Sequence, residues 1–131
     1  MSDQTNDEQL INQLNRALGL EMRAEVMYAH YATYVRGIHR LHLKPYFETE
    51  ASESFVHGNA VRNAINQLGG EAVTVRDAAP IRHTTNYKEM LEELAADLRT
   101  GTGATITHEL MNDDSLAAGM QKADLVMHCT P

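Results

Sequence analysis

At 131 residues the chain is long enough for one domain around one hydrophobic core, and residues 1–131 read as a single domain. Eleven Lys and Arg against 18 Asp and Glu leave a net charge of −7, which argues against a nucleic-acid partner, since duplex binding needs a basic face, and favours attraction of cations. No run of 18 apolar residues occurs, so no membrane-spanning helix is expected, and the polar, acidic opening MSDQTNDEQ lacks the basic and apolar regions of a secretory signal.

The first predicted helix runs from about Thr5 to Arg36. Thr5 and Glu8 have the spacing of a capping box, and Gly37 stands where a helix commonly stops. Leu10, Leu14, Ala17, Glu21, Ala24, Tyr28, Tyr31, Val35 and Ile38 alternate by four and three, so they share one face for about eight turns. Glu21 lies in the middle of that apolar seam. Ile38 to Lys44 is a short connector. A short link makes the next helix an antiparallel neighbour.

The second predicted helix runs from about Pro45 to Leu68, with Pro45 in its first turn and Gly69-Gly70 as its stop. Its inner face is Phe47, Ser54, His57, Val61, Ala64 and Leu68, with Glu50 and Glu53 on that face or at its flank. A carboxylate and an imidazole turned inward need a cation or each other. Glu71 to His83 is the longest break. It reads as a crossover that lets the second and third helices run parallel.

The third helix is expected from about Asn86, with Tyr87, Met90, Leu94 and Leu98 on one face and Asp97 at its edge. Asn112 to Ser115 reads as a break before a last helix, Leu116 to about His128, in which Asp124 and His128 are four apart. The chain stops soon after, so this helix is expected to be short and to leave apolar surface for another subunit. Cys129 is the single cysteine. It excludes an intramolecular disulfide framework and makes a cytoplasmic setting the expectation.

Each of four helices thus carries a carboxylate, and two carry a His as well: Glu21; Glu53 and His57; Asp97; Asp124 and His128. That is the inventory of a carboxylate-bridged di-iron site in a four-helix bundle, and carboxylate with imidazole suits Fe, Mn or Zn. LNRALGLEMRAEVMY (Leu14 to Tyr28) resembles the first helix of bacterioferritins, in which a ligand Glu precedes a Tyr by seven residues, as Glu21 precedes Tyr28. ASESFVHGNAVRNAINQLGGEAV resembles the second ferritin helix and its LGG loop, with His57 on the ligand His. EMLEELAADL resembles the third helix, with Asp97 on its ligand carboxylate. The resemblance, to bacterioferritin and Dps-like ferritins, implies an all-α, ferritin-like antiparallel four-helix bundle with one long crossover loop. It also implies an iron-binding, di-iron ferroxidase acting in iron storage or detoxification, with Mn or Zn as other metals, and a homo-oligomer, dimer or cage.

The chain departs from that family at two metal positions. Ser54 stands three residues before His57, where the family has Glu, so Glu53 or Glu50 has to substitute. The four-residue spacing of Asp124 and His128 alters the last motif in the same way. Phe55 stands where bacterioferritins place a haem-ligating Met, so no haem is expected. Two rival readings keep the same bundle. In one it has lost its metal centre, Glu21 pairs with Arg23, Arg62 or His57, and the protein is an oligomeric structural or interaction module. In the other it is a hydroxylase-like or manganese enzyme.

Overall fold

Leucines, alanines and aromatics at three- and four-residue intervals make one face of the first hundred residues apolar, and the helices bury that face. The computed structural model describes residues 2–99 and places three helices there, α1 (Ser2–Tyr34), α2 (Arg40–Gln67) and α3 (Tyr87–Arg99), with no strand among the described residues. The expected last helix, with Asp124 and His128, lies outside them.

At 33 residues, α1 is about 50 Å long. It reaches back to Ser2, so Thr5 lies inside its first turns and not ahead of them. The helix ends at Tyr34, just ahead of Gly37, whose φ of +98° turns the chain. Of the predicted seam, Leu10, Leu14, Ala17, Glu21, Tyr31 and Val35 are buried, whereas Ile38 lies beyond the helix and is 86% exposed.

The second helix starts five residues earlier than expected, and Pro45 sits within it. The missing N–H leaves only an early carbonyl without its donor, at an end where Leu41 is exposed, so the loss is small. Arg40 reinforces this corner by donating from Nη1 to the carbonyls of Thr33 (3.0 Å) and Val35 (2.6 Å). The far end of α2 is a Schellman motif: Gly70 N–H donates to the Ile65 carbonyl and Gly69 N–H to the Asn66 carbonyl, with Gly69 at φ +80°.

Two apolar clusters set the topology. Leu10, Leu14 and Leu18 pack on Val61, Ala64 and Ile65, while Met27, Tyr31, Ala32 and Val35 pack with Phe47, Met90 and Leu94. Low numbers on α1 thus meet high numbers on α2, and the two helices are antiparallel. The crossover then climbs α1 in order. Asn15 donates to the Glu71 carbonyl and accepts from Val73 N–H, Asp77 N–H donates to the Gly19 carbonyl, Arg23 binds the carbonyls of Ala79 and Pro80, and Arg36 N–H donates to the Thr85 carbonyl. Tyr31 Oη donates to the Arg82 carbonyl at 2.9 Å; burial, then the neighbouring Glu93 carboxylate, push this hydroxyl up to about 12, so it stays a donor. The chain turns at the top, where the Asn86 side chain accepts from Lys88 and Glu89 N–H as the cap of α3. α3 descends to Arg23, which pairs with Asp97. It therefore runs parallel to α2, as a long crossover implies. Glu89 accepts from the buried Thr84 hydroxyl and pairs with Arg82.

Gly58 faces α1, and a Cβ added there would lie 3.6 Å from Leu18 Cδ1 and 3.8 Å from Glu21 Cβ, ordinary contact distances. Gly58→Ala is expected to stabilise the protein by about 0.5–1 kcal/mol, the helix-propensity difference, measured by urea denaturation. A loss of stability would show that the two helices cannot separate by even a methyl group.

Candidate metal centre

Glu21 is carried into the core by its register. It lies between Leu18 and Met27 on the buried seam of α1, and nothing of it reaches solvent. Opposite, α2 contributes Ser54, His57, Gly58 and Val61, all buried. His57 Nδ1 stands 3.7 Å from Glu21 Oε2, beyond hydrogen-bond length. The two Glu21 oxygens accept no hydrogen bond among the described residues. Burial therefore holds the Glu21 carboxyl above its usual range, and the adjacent His57 ring offsets this only in part.

The arginines that might have neutralised Glu21 are committed elsewhere. Arg23 Nη1 lies 2.8 and 2.6 Å from the two carboxylate oxygens of Asp97, and its other nitrogens hold the crossover carbonyls. Arg62 bonds Asn59 and lies against the sulfur of Met22. Among the described residues no guanidinium pairs with this buried carboxylate, and the nearest basic side chain is the His57 imidazole.

More acids gather at one side. Glu50 is raised by burial and by Glu53, and lowered by His57, so these three share one neighbourhood. The half-buried Tyr28 hydroxyl is raised by burial first, then by Glu50, Tyr46, Asp97 and Glu21.

The structure thus brings Glu21 and His57 together, with Glu53 half-buried four residues before His57 and Glu50 close by. It gives Asp97 to Arg23. Asp124 and His128 lie outside the described residues. Ser54, at the spacing where a ligand carboxylate is expected, is buried as a hydroxyl, and Phe55 beside it is exposed. Among the described residues no three His, Cys, Asp or Glu side chains converge closely enough to enclose an ion. The pair Glu21 and His57 nevertheless fits a hard divalent cation by donor chemistry, by burial and by the unsatisfied oxygens. Sequence reasoning missed the Arg23–Asp97 pair. The one usable signal was position, because Arg23 lies about 200° around α1 from Glu21 and so faces the crossover.

The profile of the Ferritin family, described as a ferritin-like domain, matches residues 11–106. Among solved structures, the chain is similar to one described as a crystal structure of ferritin like, diiron-carboxylate proteins from Bacillus anthracis str. Ames. The TM-score is 0.72 and the identity 29%, over 94% of this chain and 84% of that one. No curated protein sequence matches it.

Proposed function

The chain belongs to the ferritin-like family, and from that membership we propose that it binds iron between α1 and α2 and acts as a ferroxidase in iron storage or detoxification. The observation that carries this reading is the fully buried Glu21 carboxylate, unsatisfied and 3.7 Å from His57. The likeness to a diiron-carboxylate protein supports iron over other ions, with manganese or zinc as alternatives.

In this reading Glu21 and His57 hold the first ion, and Glu53 or Glu50 supplies its next carboxylate. Asp97, Asp124 and His128 are the groups that remain for a second. Asp97 would have to exchange the Arg23 guanidinium for metal to take part. Bound Fe(II) supplies electrons for reduction of dioxygen or peroxide. Glu21 would contribute a carboxylate shielded from water, His57 a nitrogen donor, and Leu18, buried beside Glu21 at Gly58, part of the apolar surround. Ile38, Leu41, Tyr46 and Phe55 are exposed, which accords with an oligomer, dimer or cage.

A second reading has observations of its own. Ser54 replaces a carboxylate and Asp97 is bound by Arg23, as in a bundle that has lost its metal centre and serves as an oligomeric structural or interaction protein. Metal content by mass spectrometry, on protein purified without chelator and again after loading with Fe(II), separates the two. One or two Fe per chain, with Fe(II) oxidised faster than in buffer, is the expected result. No retained metal would end the iron reading in favour of the structural one, with solution mass as its next observable. Ser54→Glu restores the family spacing to His57 and is expected to raise iron affinity at least tenfold, read by competition with a chromogenic chelator. Unchanged affinity would show that the position does not face the ion.

A further inference from the structure

His30 on α1 and His83 in the crossover meet away from the centre described above. Nine residues separate His30 from Glu21, roughly 13 Å along the helix. His30 Nε2 and His83 Nδ1 are 2.9 Å apart. The rings stand edge to face at 75°, with centroids 5.1 Å apart. Tyr34 packs against both, 4.5 Å from the His30 ring and 4.8 Å from the His83 ring.

Neither ring owes its place to a free rotamer alone. His30 is fixed by α1, next to the fully buried Tyr31. His83 is clamped on both sides in sequence. The Arg82 carbonyl accepts from Tyr31 Oη, and its guanidinium pairs with Glu89 at 2.6 Å and Glu93 at 3.7 Å. Thr84 is buried and donates to Glu89 at 2.9 Å. The nitrogens are therefore presented by two separately anchored segments, with His83 open to water.

We propose that His30 and His83 form a two-imidazole site for a late first-row divalent ion, Cu(II) or Ni(II), at the surface between α1 and the crossover. Two nitrogens each about 2.0–2.1 Å from one ion stand about 2.9 Å apart at a right angle, and about 3.3 Å apart at the tetrahedral angle. The hydrogen bond sets the present 2.9 Å separation, which needs little change to span neighbouring corners of a square, and the Irving–Williams order favours Cu(II) and Ni(II) on imidazole nitrogens. A proton now lies between the two nitrogens. The ion takes its place, and the ring that donated carries its proton on its other nitrogen instead. Each ring then keeps one N–H and gives the ion one nitrogen lone pair. Water fills the other positions, and the net charge of −7 favours arrival of a cation.

The test uses the full chain, stripped by chelator and titrated with CuCl2 through several equivalents by calorimetry. Pulsed EPR counts the imidazoles on the wild type. The expected result is a site with two imidazole nitrogens, weakened at least tenfold by His30→Gln and by His83→Gln and unchanged by His42→Gln, an exposed control. Circular dichroism confirms that each variant is folded. Unchanged Cu(II) affinity in either variant, or a wild-type spectrum with no two-imidazole species, would overturn the proposal.

Discussion

Glu21→Gln is expected to raise the thermal midpoint of the chelator-treated protein at neutral pH and to remove most of the further rise that Fe(II) or Mn(II) gives the wild type. The substitution is nearly isosteric and exchanges a buried acid for a neutral amide. The wild-type side chain is wholly inside, with no hydrogen bond to either oxygen among the described residues. The Gln amide stays buried as well, so the gain is only the cost of ionising the acid there, on the order of 1 kcal/mol, which at roughly 4 °C per kcal/mol is a gain of a few degrees. The effect should depend on pH in a defined direction. Because burial raises this carboxyl above its ordinary value of 4.5, it favours the fold while protonated. That contribution is intact below 4.5, where wild type and variant differ little. It is lost as pH rises through the higher folded-state value, so the advantage of Gln grows upward from about pH 4.5. Metal reverses the order: a ligand at a hundred times its dissociation constant adds about 2.7 kcal/mol to the form that binds it. If calorimetry found the Gln variant less stable without metal and equally stabilised by Fe(II), Glu21 would be a structural group and not a ligand.

Arg23→Met is expected to cost about 3 kcal/mol, the lower end of the range for breaking a buried ion pair, because Asp97 keeps a quarter of its side chain in water. The guanidinium joins three parts of the chain: α1, where it is rooted; the crossover, through the carbonyls of Ala79 and Pro80; and α3, through both oxygens of Asp97. Lys is no substitute, since one ammonium cannot span a carboxylate and two carbonyls in that fork, so Arg23→Lys should recover less than half of the loss. Urea denaturation with a far-UV signal reads both variants. A cost under 1 kcal/mol for Arg23→Met would mean that the crossover is held by its other bonds alone. The same variant also releases Asp97 from its strongest contact. Tighter iron binding in Arg23→Met than in wild type would count for Asp97 as a ligand, and unchanged binding against it.

The seam of α1, the inner face of α2 and the crossover were legible because each is a matter of register along one element. A three-and-four alternation says which residues turn inward, and Glu21 and His57 were placed correctly by that alone. Gly69-Gly70 announced the end of α2, and the length of the following break implied a parallel α3. What register does not encode is partnership across the chain. Arg23 meets Asp97 across 74 positions and Ala79 across 56, and no local pattern says which partner an inward-turned acid will meet. The start of α2 was misjudged for a related reason. Pro45 suits a first turn, yet the packing of Phe47 and the anchoring of Arg40 on Thr33 and Val35 favour extending the helix past the proline.

The crossover is tied to α1 by a run of hydrogen bonds and one guanidinium, with only Ala72 and Ile81 packed on the apolar clusters, while α1 and α2 are welded by those clusters across a five-residue corner. This division sets an order of assembly. The α1–α2 hairpin closes a short loop and buries leucines at once, so it forms early. The strap and α3 have a longer loop to close and dock afterwards. In native-state hydrogen exchange the amides of Asp77 and Arg36, bonded across to Gly19 and Thr85, should open together and well below the global unfolding energy, leaving the hairpin shut. A protease that nicks the chain between residues 71 and 83 would then be reading that partial opening, and its rate would report how firmly Arg23 holds.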